Sequence, residues 1–246
     1  MKAIRLNKIF PGVRSFYIIG EIAIITPKRV DVNYELVARK IIENNPKIKA
    51  VYLKKKVGGE LRINQLEFLA GIKTTITIYK ENGIRFYIDI SKAYVNPALS
   101  GDRLKNLDLV IDGDIILDAF TGYGAIALNL AHKKRVYVVA GDINIDGLYL
   151  LKKSLELNKF KGIVDIIQYD AHYLPFRDKA FRLTFGDNPT MISEFKNELC
   201  RVSKNVVFYI LSTLEEAKRL LGETNWIKIR DYSKNLFILK GIIRCQ

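Results

Sequence analysis

The chain's 246 residues include 49% apolar side chains, and its net charge is +14 with a pI near 9.6. That length and apolar content suit one large domain or two modest ones around a sizeable core, which excludes global disorder. No apolar run approaches the roughly 20 residues of a membrane span, and no apolar segment follows Met1-Lys2-Ala3-Ile4-Arg5 to make a secretory signal.

Two cysteines, Cys200 and Cys245, are too few for a disulfide framework or a four-ligand zinc site. Cys200 reads as core packing, His132 and His172 stand alone, and no metal is expected. A reducing cytoplasm is the expected setting. The 33 Ile and 3 Gln, with many Lys, are a thermophile-like composition that an AT-rich genome also produces.

The charge is uneven. Residues 1–92 hold 18 Lys/Arg against 8 Asp/Glu, a net of +10, whereas 93–246 hold 22 against 18, a net of +4. A basic region of this kind suits a polyanion, with nucleic acid the leading candidate, although such fields also serve solubility.

In chain order, Phe16 to Ile25 reads as one β-rich strand with Gly20 marking a bulge. Asp31 reads as the N-cap of a helix with Leu36, Val37, Lys40 and Ile41 on one face, ended by Asn44-Asn45-Pro46. A basic strand, Val51 to Lys56, is closed by Gly58-Gly59. Strands at 74–79 and 84–90 flank Asn82-Gly83, a hairpin signal. Residues 1–92 are therefore expected to form a small basic α+β domain.

From 93 onward, strands at 115–118, 136–140, 164–168, 182–185 and 206–211 alternate with helices at 124–132, 147–158 and 192–201. That alternation predicts a parallel, Rossmann-like α/β domain over 93–246.

The densest chemical signal is Asp118-Ala119-Phe120-Thr121-Gly122-Tyr123-Gly124. A strand ends in an acid, and a Gly-x-Gly turn then opens a helix whose free N–H groups face a ligand. Ala127 fits the dinucleotide pattern, but Asp118 would repel a pyrophosphate; it suits a cationic amino-acid end such as that of S-adenosylmethionine. Asp142, 20 residues after Gly122, is placed to accept from ribose hydroxyls, and Asp170 from an adenine amino group. Acids at three successive strand ends form a class I methyltransferase pattern; one alone would be an ordinary turn residue. Asn188-Pro189 keeps half of an Asn/Asp-Pro-Pro-aromatic motif, which Thr190-Met191 then break.

From Phe16 to about Leu211 the chain resembles the archaeal and eukaryotic tRNA (guanine-37) N1-methyltransferases. These are close relatives of the aminocarboxypropyl transferases and methyltransferases of wybutosine synthesis. The segments that carry the resemblance are Phe16 to Ile24, Gly59 to Arg62, Leu66 to Gly71, Lys80 to Phe86, Asp89 to Tyr94, Asn96 to Arg103, Asp118 to Gly124 and Asp142-Ile143-Asn144.

The resemblance implies S-adenosylmethionine as cofactor, with Tyr94, Phe120 and Ile143 joining Asp118, Gly122, Gly124, Asp142 and Asp170 around it. It implies tRNA as partner to a monomer with no membrane association. It also implies a general base at Asp102, where the family has Glu, a donor to guanine O6 at Arg62 and a positioning group at Asn188. Lys54, Lys55, Lys56, Arg85 and Arg103 are the expected RNA cations, with Tyr79 and Phe86 available for stacking. Ala98, where the methyltransferases carry Arg, points instead to aminocarboxypropyl transfer, and the altered Asp102 and Thr190-Met191 to an RNA-binding paralogue without turnover. The tRNA-elbow domain of some relatives is expected to be absent.

Overall fold

The computed structural model describes residues 16–27, 32–58 and 63–245. The chain divides into two compact units, 1–97 and 98–246.

In the first unit, β1 (Phe16–Ile19) and β2 (Ile22–Ile25) are an antiparallel hairpin rather than one bulged strand. Gly20 turns the chain at φ +57°, a conformation glycine adopts without strain. Helix α1 (Tyr34–Asn44) is capped by Asn33, whose side chain accepts from Leu36 N at 3.0 Å. The expected cap, Asp31, lies outside the described residues. Val37, Ala38 and Ile41 of α1 pack on Ala23, Ile25 and Val51 of the sheet.

That sheet runs β1-β2-β3-β4, with β3 (Ala50–Gly58) parallel to β2 and antiparallel to β4 (Ile63–Gly71). The sequence reading missed β4. The expected hairpin is present as β5 (Ile76–Glu81) and β6 (Ile84–Asp89). Asn82 and Gly83 both have positive φ, as a tight two-residue turn requires.

The second unit opens with α2 (Ser100–Lys105). Four βα-type strands follow: β7 (Ile115–Asp118), β8 (Tyr137–Asp142), β9 (Ile163–Gln168) and β10 (Phe181–Gly186). Between them lie α3 (Ala125–Lys133) and α4 (Ile145–Glu156). A short 3₁₀ turn, Ile192–Phe195, leads into α5 (Lys196–Val202), where one continuous helix was expected. The chain then forms β11 (Ser203–Ser212), α6 (Leu214–Leu221), β12 (Ile227–Ser233) and β13 (Leu236–Arg244). The sequence reading stopped at β11.

The seven strands lie in the order β12-β13-β11-β10-β7-β8-β9. β9, β8, β7, β10 and β11 are mutually parallel, and β13 is antiparallel to both neighbours. This is the expected Rossmann-like architecture with an antiparallel addition at one edge. The order reverses at β7, so the crevice beyond the carboxyl ends of β7 and β10 is the topological switch point where such sheets bind ligands.

Cys200 on α5 is bonded to Cys245, just past β13. Cys200 packs against the core as expected; the bond itself was not foreseen. The bond spans 45 residues of sequence, with Cα atoms 5.1 Å apart, and no local motif announces a pairing at that distance. Disulfides are uncommon in a reducing cytoplasm, the setting expected from the sequence.

Candidate active site

Three carboxylates reach one edge of the sheet because β7, β8 and β9 run parallel and each is followed by an acid. Asp118 ends β7 and is almost wholly buried. One of its oxygens, Oδ2, accepts from Thr121 Oγ1 at 2.9 Å and from the Ala127 amide at 3.0 Å. The carboxylate thus folds the turn between strand and helix onto itself. Its Oδ1 is buried with no hydrogen-bond partner among the described residues. Burial pushes the carboxyl up to about 7, with Asp187 and Asp142 adding repulsion and the Thr121 and Ala127 hydrogen bonds opposing.

The two turn glycines serve different ends. Both have positive φ, +54° at Gly122 and +89° at Gly124. A Cβ on Gly124 would lie 2.3 Å from Leu151 Cδ1 of α4, so Gly124 lets α3 and α4 pack closely. A Cβ on Gly122 would meet nothing within 4 Å: its face is open for a ligand to lie against backbone.

Asp142 ends β8. Its Oδ2 accepts from the Gly122 amide at 2.7 Å and its Oδ1 from the Asn144 amide at 2.9 Å, tying the second strand end to the glycine turn. Burial raises its carboxyl too, against the pull of backbone donors. The Ile143 amide is a third backbone donor; a carboxylate offers about four acceptor positions, so one remains for a hydroxyl donor.

Ile143, the next residue, is 51% exposed, an apolar platform at the mouth of the crevice. Phe120 packs edge-on against Phe195, with ring centroids 4.9 Å apart. Asp170, past β9, is exposed and accepts from the His172 amide at 2.9 Å and pairs with its ring nitrogen at 2.7 Å. Those donors hold its carboxyl below the ordinary range.

An orphaned buried carboxylate oxygen, an open glycine face, a hydroxyl-accepting acid and an exposed Ile share this one edge. The set fits a ligand with a cationic end, a ribose and a flat base, as S-adenosylmethionine has.

Asn188 follows β10. Its carbonyl accepts from the Met191 amide, and Pro189 O accepts from the Leu211 amide at 2.7 Å. Asn188-Pro189 is therefore anchored to β11 although Thr190 and Met191 depart from the expected motif. Asn188 Oδ1 is a second buried acceptor with no partner among the described residues.

Asp102, on α2, is not open to solvent as a simple base would be. Its Oδ1 accepts from Lys240 Nζ and its Oδ2 from the Tyr209 hydroxyl, both at 2.6 Å. Asn106 joins both partners.

Arg103 is only 5% exposed, which corrects its expected place among the RNA cations. Tyr79 and Phe86 are buried in the hairpin and present no face for stacking, a second correction. Arg85 is exposed on β6 beside Lys80, its cross-strand partner. Lys55 is exposed and pairs with Glu67 at 2.8 Å. Lys54 Nζ lies 5.4 Å above the Tyr94 ring, and both belong to the first unit. Arg62 and the side chain of Lys56 lie outside the described residues.

The sequence reading missed Thr121, Asn106, Tyr209 and Lys240. Lys240 did leave a signal: it is the lone charge in the run Leu236 to Ile243, and it stays buried. A buried ammonium requires a paired anion.

Residues 77–235 match the model of the TRM5/TYW2 methyltransferase domain, and residues 11–74 that of the TYW2 N-terminal domain. The chain is 38% identical over 155 residues to the tRNA (guanine(37)-N(1))-methyltransferase Trm5b of Pyrococcus abyssi, covering 62% of this chain and 47% of that protein. It is 37% identical over 131 residues to the tRNA (guanine(37)-N(1))/4-demethylwyosine(37)-methyltransferase Taw22 of Nanoarchaeum equitans, covering 53% and 43%. It thus spans less than half the length of either relative. A solved complex of aTrm5 and tRNALeu superposes with a TM-score of 0.81 at 26% identity, covering 94% of this chain and 72% of that one. With the methyltransferase-domain model spanning more than half its length, the chain belongs to the TRM5/TYW2 family.

Proposed function

We propose that the protein is an S-adenosylmethionine-dependent tRNA methyltransferase acting in the cytoplasm on N1 of guanine 37 or on the wybutosine precursor at that position. The observation that carries this reading is the crevice of Asp118, Gly122 and Asp142 at the switch point of a chain of this family. The Nanoarchaeum relative is named for both substrates, and a structural neighbour was solved with tRNA. The net charge of +10 over residues 1–92 supplies phosphate affinity.

When bound, S-adenosylmethionine supplies a methyl carbon made electrophilic by its sulfonium. Asp142 takes a ribose hydroxyl, Ile143 the adenine face, and Asp118 the cationic end. Guanine N1 carries a proton at neutral pH and is not nucleophilic until it is removed. Asp102 is the proposed acceptor of that proton, Arg62 the donor to the charge growing on O6, and Asn188 Oδ1 the acceptor that orients the base.

A second reading, aminocarboxypropyl transfer in the same crevice, draws on Ala98 and on the match of residues 11–74 to the TYW2 N-terminal domain.

Mass spectrometry of nucleosides from tRNA incubated with the protein and S-adenosylmethionine decides between them. Unmodified and wybutosine-precursor tRNA are both supplied. A gain of one methyl on guanine or on the precursor is the expected result, and a gain of the amino-acid arm would move the assignment to the second reading. If the cofactor binds and neither product forms, a non-catalytic RNA-binding paralogue replaces both.

A further inference from the structure

Lys240 and Tyr209 face each other across the antiparallel pair β11/β13, so their side chains rise from one face of the sheet. Both meet Asp102, which lies 138 and 107 residues away in sequence. Lys240, Tyr209, Asp102 and Asn106 are all buried.

Hydrogen bonding within the group is nearly complete. The ammonium donates to Asp102 Oδ1 and, at 3.0 Å, to Asn106 Oδ1. The Tyr209 hydroxyl donates to Asp102 Oδ2 and accepts from Asn106 Nδ2 at 2.8 Å. Each Asp102 oxygen keeps an acceptor position beyond these two bonds.

Such a pair adds little net stability over an apolar pair of the same volume, because desolvation offsets the attraction. Its effect is on geometry. An aspartate is one methylene shorter than glutamate and has fewer ways to reach a substrate proton, so its placement matters more.

We propose that Lys240, with Tyr209 as a second donor, is the positioning residue for Asp102: it fixes the carboxylate on α2 in place to receive the guanine N1 proton. This rests on Asp102 being the base.

Lys240 comes from β13. Tyr209 comes from β11 and is held neutral: its hydroxyl is pushed well above the ordinary range, first by burial, then by the charges of Asp102 and Asp187. Asp187, after β10, is the second negative charge on that hydroxyl, and Arg103 and Lys105 share α2 with Asp102. Without the ammonium, Asp102 keeps the Tyr209 hydroxyl as its donor from these strands, and loss of a neighbouring cation disfavours the charged form of a carboxylate.

The test is single-turnover methyl transfer to the tRNA substrate across pH 5.5–9 for the full chain and for Lys240→Met, Tyr209→Phe and Asp102→Asn. Lys240→Met should move the acidic limb of the pH–rate profile upward by a unit or more. Its rate relative to the full chain should then fall towards the acid end of the range and recover towards pH 8.5. Tyr209→Phe, which keeps the ion pair and so protects folding, should move the limb in the same direction by less. A rate lowered equally at every pH, with the limb unmoved in both variants, marks a merely structural pair and overturns the proposal. Asp102→Asn separates the two failures: if it retains full activity, the assignment of the base falls, whereas if it is inactive while the limbs do not move, only the role of Lys240 falls.

Discussion

Two of the three buried aspartates of the second unit, Asp118 and Asp102, are satisfied in opposite ways. Asp118 takes its donors from its own neighbourhood, Thr121 three residues away and Ala127 nine. It leaves one oxygen without a partner among the described residues. Asp102 takes its donors from strands more than a hundred residues away and has both oxygens engaged. A local turn can hold a carboxylate incompletely bonded and poised for a ligand, whereas a carboxylate gripped by the assembled sheet acquires a fixed position.

The largest way to break this contrast is to remove the grip. Lys240→Met leaves Asp102 buried beside a neutral partner and should lower unfolding stability by about 3–5 kcal/mol. Adding Asp102→Leu to the same chain should restore most of it. Chemical denaturation of the single and double variants measures both, and an additive double variant would mean that the pair is not coupled.

Next in size is the other long-range tie. Cys200→Ser opens the Cys200–Cys245 bond and should cost about 2–4 kcal/mol, given the 45 residues it spans. Thermal unfolding should then become insensitive to reductant, whereas the native chain should melt earlier when reduced.

The local turn can be probed by its two glycines. Gly124→Ala combines positive φ with a clash against Leu151 and should cost about 1–3 kcal/mol. Gly122→Ala meets no atom and should cost about 1 kcal/mol from its positive φ. It should weaken cofactor binding more than Gly124→Ala does, because its methyl enters the open face. Denaturation and cofactor titration of the pair give the two rankings, and the reverse order for binding would remove Gly122 from the ligand's side of the turn.

The remaining effect is electrostatic. Asp118 is raised in the fold from the ordinary carboxylate value to about 7, so its ionised form is the disfavoured one. Its contribution to the stability of the ligand-free protein is full below pH 4 and is lost as pH rises from about 4 to 7. A cationic ligand offsets that loss. The rise in Tm caused by S-adenosylmethionine should therefore grow between pH 5 and 8 in the native chain and lose most of that growth in Asp118→Asn. Calorimetry at several pH values checks it.

The same contrast governs what could be read from sequence. Asp118 to Gly124 is contiguous, so strand end, turn and helix start were legible together, as was the Asn82-Gly83 hairpin. The acids Asp142 and Asp170 were legible because parallel strands deliver successive loops to one edge. The β1–β2 hairpin was not, since Gly20-Glu21 inside an apolar run looks like a bulge. β12 was missed because most of its side chains are exposed and show no alternation. Asp102 was recognised by resemblance, but its partners were not: Tyr209 and Lys240 become its neighbours only once β11 and β13 pair.

One measurement reaches the centre of this distinction: calorimetric titration of S-adenosylmethionine into Asp118→Asn and Asp102→Asn, side by side with the unmodified chain. Asp118→Asn is expected to weaken binding about tenfold or more, a loss of the size of one charge-assisted hydrogen bond, and Asp102→Asn to leave the affinity within about twofold while the enzyme loses turnover. Equal weakening by both substitutions, or none by Asp118→Asn, would contradict a cofactor site built at the turn and a base held apart from it.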